Sequence, residues 1–465
     1  MNVLLLLQLL YKLSGIVRLP FLCVISMIFV LLGHFPLTLK AQVSKIANAQ
    51  DVTTTGNLAV FSTDKIANTL VSGIALRGSW FTTLGNFRIE QDYKATSIIS
   101  TNAATRDDQL LLLEHSVPVD DSSIALVSRG LLFVTQDSRD IGLSSLQRYA
   151  AMTGFHWKPD NDIDMTFLGG LEQNTQLGIE ALGYVGIAEA IVSPMQWEDF
   201  TLSARSLYDI RRLDARRTNT DFFSQFSLLS IGDTSKSSLQ LNGYFRRLGR
   251  DFYTFVNAEQ FREVEQRLED RYGIFGKINA PLQKALFVNL DYSAEQGTID
   301  RRYAGRVPGV LQTYVSRGLK ELQIQLTASL LYQTSIGQYK AGMHYFSRTE
   351  RNAIQGVFDI NPADESTLRA QEQQRDNSAQ RVRIFADARI AVTNSDTLYG
   401  QGAYSLLRYD TPSVQNYDDR DELQALTELH YAKKMSKSLT VHLTGRVQLL
   451  HLVFIKQQKI GRAHV

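Results

Sequence analysis

The chain has 465 residues, a formal net charge of +2 and 21% charged residues, so no acidic or basic excess points to nucleic acid or another charged polymer. Hydrophobic residues make up 44%, too many for a disordered chain and too few for a bundle of membrane helices. Nine prolines against 19 Tyr and 23 Phe suit a β-rich protein with many aromatic positions to fill.

Residues 1–41 read as a signal peptide. Lys12 and Arg18 supply a positive amino-terminal region, "LPFLCVISMIFVLLGHF" is the apolar core, and Leu39-Lys40-Ala41 loosely fits a small-residue cleavage site. A retained amino-terminal anchor is the alternative reading. Cys23, the single cysteine, follows Phe21 and Leu22 inside the apolar run, which argues against lipid attachment there. Removal of the signal leaves an exported chain with no cysteine, and hence no disulfide and no thiolate site.

In residues 42–145, "GIALRGSWFTTLGNFRIEQDYKATSII" reads as a hairpin turning at "TLGN", and "ALVSRGLLFVTQ" as a further strand. From residue 146 to 453, apolar and polar residues alternate with period two. In "ELQIQLTASLLYQ", Leu322, Ile324, Leu326, Ala328, Leu330 and Tyr332 hold one parity, and Gln323, Gln325, Thr327, Ser329 and Gln333 the other. "RYGIFGKIN", "ALFVNLDYSA", "RVRIFADARIAV", "ELQALTELHYA" and "SLTVHLTGRVQL" repeat the scheme, as do "SLQLNGYF" and "DIDMTFLGGLE" upstream. Strands of about 10–12 residues match what a tilted strand needs to cross a hydrocarbon layer. No run of about 20 apolar residues and no convincing helix follows the signal.

Connections alternate in length from residue 270 onward. Short turns are expected at "APLQK" (280–284), "TSIGQ" (334–338), "NSD" (394–396) and "MSKS" (435–438). Long polar loops are expected at about 296–320, 349–380 and 409–421, provided "VLQTYVSRGL" belongs to a loop. Upstream, "KPDND" (158–162), "SPMQ" (193–196) and "GDTSKS" (232–237) are candidate short turns. Loops would then fall near 173–183, 209–219 and 247–269.

The signal, the alternation and the loop asymmetry together resemble the broad class of Gram-negative outer-membrane β-barrel proteins. No family-defining motif carries the likeness. It implies an all-β fold, an antiparallel transmembrane β-barrel of at least about a dozen strands, with short periplasmic turns and long external loops. It also implies outer-membrane lipid, small solutes and the outer-membrane assembly machinery as partners. Such barrels end in a strand closing on an aromatic residue, and this chain departs from that. Its last seven residues, "KIGRAHV", match the codons of a common short-read sequencing adapter. Residues 454–465 therefore read as a non-native read-through tail on a chain truncated at its carboxy-terminus. Residues 42–145 are read as extra barrel strands, with a plug domain like that of TonB-dependent transporters as the alternative; "DVTTTGNLAV" (51–60) only faintly resembles an energy-coupling box.

Catalytic motifs are absent: there is no G-x-S-x-G, H-E-x-x-H or P-loop pattern, so no enzyme activity and no cofactor is assigned. Asp160, Asp162 and Asp164 have the spacing of calcium-loop carboxylates, but Met165 stands where a glycine is needed, and a turn entering a strand is the simpler account. "YDDRDE" (417–422) reads as a solvated acidic loop, and no metal site is assigned. His430 and His442, on the lumen parity, are misplaced for phospholipase chemistry on the outer wall.

The functional candidates are lumen-facing charges. Lys277, Lys340, Arg383, Arg389 and Arg446 outnumber Asp291, Asp387 and Glu428, with His430 and His442 on the same side. Such an excess tilts a pore toward anions. The competing account has opposite charges such as Arg383 and Asp387 simply pairing across strands. Tyr272, Tyr292, Tyr332, Tyr345 and Tyr431 lie near strand ends on the outward parity, as an interfacial aromatic girdle requires. The expected role is porin-like passage of small solutes through a polar lumen. A surface-exposed structural or adhesive barrel that binds partners through its loops and a secreted soluble β-rich protein are the alternatives.

Overall fold

The computed structural model describes residues 58–66, 68–82, 85–98, 104–119, 123–137, 145–231, 237–256, 262–393, 395–411, 419–436 and 439–454. The signal peptide, the segment resembling a coupling box up to residue 57 and the carboxy-terminal tail from residue 455 lie outside the described residues.

Nineteen strands make up one antiparallel sheet. They are β1 (Leu58–Ile66), β2 (Thr69–Thr82), β3 (Gly85–Ile98), β4 (Ala104–Pro118), β5 (Ile124–Asp137), β6 (Ser145–Asp160), β7 (Ile163–Gln176), β8 (Ile179–Trp197), β9 (Phe200–Arg212) and β10 (Thr218–Ile231). There follow β11 (Ser238–Phe255), β12 (Arg262–Gln283), β13 (Leu286–Tyr303), β14 (Val315–Gln333), β15 (Gly337–Val357), β16 (Asn377–Ala391), β17 (Asp396–Asp410), β18 (Arg420–Lys434) and β19 (Thr440–Phe454). Each strand pairs with its neighbour in sequence, as the registers of β1 through β7 and of β12 through β19 show residue by residue. Among the described residues, the pairings do not include one that closes the sheet.

The chain divides into two compact units: Met1–Glu189 with Asp209–Asn219 and Phe252–Phe255, and Ala190–Tyr208 with Thr220–Asp251 and Val256–Val465.

In the second unit, the period-two pattern becomes a sheet with two unlike faces. Antiparallel partners point to the same side. The ladder Ile278, Leu290, Ala328, Met343, Ile384, Tyr404, Ala425, Leu449 is therefore one apolar row crossing eight strands. Side chains of this face lie open: Ile274 51%, Leu330 49%, Ile384 60%, Leu429 54%, Leu443 70% and Leu449 67% exposed. A fully buried residue of this size stabilises by about 1.5–3 kcal/mol relative to exposure. Leaving these six open to water would forgo an amount comparable to a typical total stability of about 5–15 kcal/mol. Nothing in the described protein covers them.

The opposite face is polar. Lys277, Asp291, Thr327, His344, Arg383, Ser405 and Gln424 form one continuous row across β12–β18.

Turn asymmetry holds in this unit. Residues 284–285, 334–336, 392–395 and 435–439 join strands at one end, and residues 304–314, 358–376 and 411–419 at the other. From β2 onward the strands run to 13–22 residues, longer than the expected 10–12. They continue past the apolar face into segments read from sequence as loops. "VLQTYVSRGL" divides accordingly: Leu311–Tyr314 is a 3-10 turn and Val315 onward is β14.

The long connection at 358–376, expected as a polar loop, holds a helix, α1 (Pro362–Gln373). The Asn361 side chain caps it by accepting a bond from the Asp364 amide at 2.8 Å, Pro362 sits in the first turn, and Asp364 and Glu365 face the positive end of the dipole. The helix has no apolar stripe for a periodicity test to find. Polar anchors hold it instead: Arg369 Nη1 donates to the Ile354 carbonyl at 2.9 Å.

In the first unit, "TLGN" does turn the β2–β3 hairpin, and β5 covers the expected strand. The expected loop at 173–183 shrinks to a two-residue turn, Leu177-Gly178, with φ of 50° and 74°. This is the all-positive geometry of a type I′ hairpin, which glycine makes easy. In the second unit, the turn expected at 193–196 falls slightly later, since β8 runs on to Trp197 and Glu198 takes the left-handed φ of 52°. The polar-parity face of β5–β8 also carries a small packed cluster of Val127, Ala150, Met152, Leu168 and Val185.

The β6–β7 ladder is unusually close at Gly154, where a Cβ would sit 1.8 Å from the Phe167 carbonyl oxygen; at Gly169 a Cβ would meet nothing within 4 Å. Gly154→Ala is expected to lower stability by about 1–3 kcal/mol through forced strand separation. Gly169→Ala should stay within about 0.5 kcal/mol of the parent protein. Denaturant titration of the two variants checks the contrast, and equal effects would contradict it.

Candidate functional site

The polar face is the only surface on which the sequence-predicted charges come together, and strand register decides how. Lys277 and Asp291 stand directly opposite each other, with Nζ 4.0 Å from Oδ1, both more than 40% exposed. Lys340 opposes Asp387 in the same way. Arg383 does not pair with Asp387: the two lie on one strand, and Arg383 faces His344 and Ser405 instead. The Arg383 guanidinium lies 5.9 Å from the Phe385 ring centre and the Lys340 ammonium 5.6 Å from the same ring, so one aromatic face serves two cations.

Arg389 opposes Gln338 and Tyr399, whose hydroxyl donates to Gln401 at 3.0 Å. Glu428 opposes Arg446, which donates to Gln448 at 3.1 Å. His430 shares a 2.7 Å bond with Thr444 and a 3.2 Å bond with His442, and the two imidazoles stack.

On the opposite face, the tyrosines spread along the ladder. Tyr292 and Tyr345 both oppose Leu326 in its middle, and Tyr272 lies further toward the long-loop end. Tyr332 and Tyr431 lie toward the short-turn end, where Tyr332 meets Tyr339 at 6.2 Å between rings.

Toward the long-loop end, the polar face carries a network that the sequence reading missed. Tyr244 donates to Glu295 at 2.5 Å, and Glu295 accepts from Arg271 at 3.1 Å. Arg271 also binds Glu269, which takes a further bond from Arg267 at 3.0 Å. Glu321 accepts from Arg348 at 2.7 Å, and Arg348 also pairs with Glu350. Charges at every second position, as Arg267, Glu269 and Arg271 in "RLEDRYG", were the available signal.

The first unit has its own charged centre, with different physics. Glu172, 1% exposed, accepts from both nitrogens of the Arg148 fork at 2.9 and 3.2 Å, and Arg211 approaches to 3.4 Å. Nearby, Arg217 is enclosed: its Nε donates to Asp214 at 2.7 Å, its Nη1 reaches Asn174 and Gln176 at 3.3 and 3.4 Å, and its guanidinium lies 4.5 Å over the Tyr253 ring. Gln176 and the Tyr253 backbone exchange two bonds of 3.2 and 3.1 Å. Of the Arg217 nitrogens, Nη2 alone is buried without a hydrogen bond among the described residues, and the remaining donors are matched as buried charge requires. This centre therefore fixes structure rather than offering a site.

The three aspartates with calcium-loop spacing do ordinary work. Asp160 accepts from the Asn161 amide at 2.6 Å in the turn, and Asp164 lies 3.1 Å from His156 and 3.6 Å from Lys158. Among the described residues, no group of three or more acidic, His or Cys side chains has metal-binding geometry. The acidic loop begins outside the described residues, apart from Asp419, Arg420, Asp421 and Glu422.

Asp214 lies in the turn between β9 and β10. Burial opposes its ionisation, but bonds from the Arg217 side chain and from the Arg216 and Arg217 amides, with the Arg217 charge, hold its carboxyl below the usual range. A carboxyl depressed in the folded state favours folding above its unfolded value of about 4, and that contribution is lost as pH falls through the folded value. Thermal melting should therefore fall more steeply below about pH 4 in the parent protein than in Asp214→Asn, and parallel curves would contradict the assignment. Arg217→Met should cost about 2–3 kcal/mol in denaturant titration, because it strands the polar groups around it.

No protein-family model matches this chain, and no curated protein matches it. Among solved structures, it is similar to a bacterial polysaccharide outer membrane secretin (8% identity, TM-score 0.25, covering 70% of this chain and 91% of that one). It is also similar to the siderophore receptor PirA from Pseudomonas aeruginosa (10%, 0.31, 82% and 78%) and to the copper transporter OprC (9%, 0.32, 85% and 72%). Scores of this size establish neither a shared fold nor a shared activity.

Proposed function

We propose that this protein is an outer-membrane β-barrel whose polar face lines an aqueous path for small solutes. One observation carries the reading: a single ladder presents an uncovered apolar face on one side and charged rows on the other. Lipid is the solvent that makes both faces favourable, since the apolar rows are then buried and the inner strands are bonded to a neighbour on each side. From Leu322 to Tyr332 the apolar stretch spans about 33 Å along the strand. At a tilt of 35–45° this becomes about 25 Å, the height of the apolar band of such barrels. Tyr272 then sits toward one interface and Tyr332 and Tyr431 toward the other, with Tyr292 and Tyr345 inside the band.

The protein acts as a conduit rather than an enzyme, and its partners are outer-membrane lipid, the assembly machinery and small solutes. Of the five cations on this face first singled out, Lys277, Lys340 and Arg446 stand opposite carboxylates, while Arg383 and Arg389 face neutral groups. That leaves a modest excess of positive charge and an anion preference. A second reading, binding of partners by the external loops, is favoured by one feature: the connection at 358–376 is folded and anchored by α1.

Reconstitution into planar bilayers is expected to give steady conductance with a reversal potential on the anion side in a KCl gradient. Arg383→Glu should move that potential toward cations. Cation selectivity in the parent protein would defeat the anion preference, and absence of conductance would defeat the passage reading. Independently, Ile384→Arg on the apolar face should lower stability in lipid vesicles by about 2–4 kcal/mol. An effect under about 0.5 kcal/mol would mean that this face does not meet lipid.

A further inference from the structure

At the long-loop end of the polar face, Arg267 of β12, Arg301 of β13 and Arg317 of β14 are direct cross-strand partners. Three guanidinium groups in one row, with neighbouring Cβ atoms about 5 Å apart, repel one another, and like charges directly opposed destabilise a sheet. A sequence that breaks a local rule this openly marks a functional position more often than an accident.

The compensation supplied by the protein is partial. Arg267 donates to Glu269 at 3.0 Å. Arg317 lies 3.3 Å from Glu372 of α1, and Arg375 claims the same carboxylate at 3.1 Å. Arg301 has no hydrogen-bonding or ion-pair partner among the described residues and is exposed. The Nε groups of Arg267 and Arg317 are shielded from solvent and make no hydrogen bond among the described residues, that of Arg317 having only the 3.3 Å ion-pair contact to Glu372.

Arg301, Arg317 and Arg375 line one cavity of about 280 Å³ together with Tyr303, Gln312 and Asn352. Two carboxylates share it. Glu372 is already divided between two arginines. Glu265 lies on β12 well beyond Tyr272, outside the apolar belt, and burial pushes its carboxyl above the usual range against the pull of Arg301, Arg267 and Arg317. The cavity thus keeps free guanidinium donors, an amide and a phenol, in a volume suited to a small solute.

We infer that this cavity is an anion-binding station for small solutes bearing a carboxylate or phosphate group, with Arg301 and Arg317 as the principal contacts. The planar fork of arginine matches both groups through paired N–H bonds, which an ammonium cannot reproduce. α1 closes the station from the loop side, since Glu372 and Arg375 come from its carboxy-terminal end. The inference deepens the passage reading and rests on it only for the route by which solute arrives.

The test is equilibrium dialysis of the full chain, refolded in detergent micelles in 0.15 M KCl, against inorganic phosphate and separately against citrate. Saturable binding of either is expected, weakened at least tenfold in Arg301→Gln, a replacement at an exposed unpaired position that leaves folding intact. Arg317→Gln, with heat-modifiable gel migration to confirm folding, should weaken it as well. Binding of neither anion by the parent protein, or equal binding by Arg301→Gln, would overturn the station. Conductance measured on the same preparation separates the two ideas. A protein that conducts without binding loses the station alone, and one that binds without conducting keeps the station and loses the passage role.

Discussion

The pleat governs everything else in this molecule. A strand bonded on both sides to its neighbours has satisfied its backbone completely, so the only difference between its two faces lies in alternate side chains. Across β12–β19 those alternates form two unlike faces: an apolar row from Ile278 to Leu449 on one side, and on the other a polar row from Lys277 to Gln424 with Phe385 set among its cations. A water-soluble sandwich would bury the first set against a second sheet. Here the same side chains remain uncovered, so the solvent on that side has to be apolar for the sheet to persist.

Charge is handled in two ways on the polar side. In the first unit, Glu172 and Arg217 are sealed from water and paired with opposite charge, and removing a partner leaves a buried charge unmatched. In the second unit, Lys277 and Asp291 sit 4.0 Å apart in the open, where an ion pair is worth about 0–1 kcal/mol. The first arrangement holds strands together. The second leaves charge available to whatever passes, because breaking such pairs costs the fold almost nothing.

Much of the second unit was legible because strict alternation encodes a face directly, and the turns at 334–336 and 392–395 fell where Gly337 and Asn394-Ser395 announced them. Two things were not legible. Strand ends were placed too early, since polar residues on both parities, as in "REVEQRLED", look like loop once a strand leaves the apolar belt. The arginine row was also invisible: Arg267, Arg301 and Arg317 are far apart in sequence, and only the register of β12–β14 sets them side by side. Helix α1 escaped for the opposite reason, being local in its capping but dependent on Ile354 and Arg317 to hold it in place.

The extension of β12 beyond Tyr272 has an electrical consequence. Arg267 stands five residues past that tyrosine, about 17 Å further along the strand. At the tilt of a barrel strand this is about 13 Å above the edge of the apolar belt. Mobile ions screen fields over about 8 Å at physiological salt, so the membrane potential has already decayed at that height. On the passage reading proposed above, an anion held by the arginine row would be captured without sensing voltage. Only its later descent past Lys340 and Arg389 would be biased by the field, which would make occupancy a matter of concentration and transit a matter of potential.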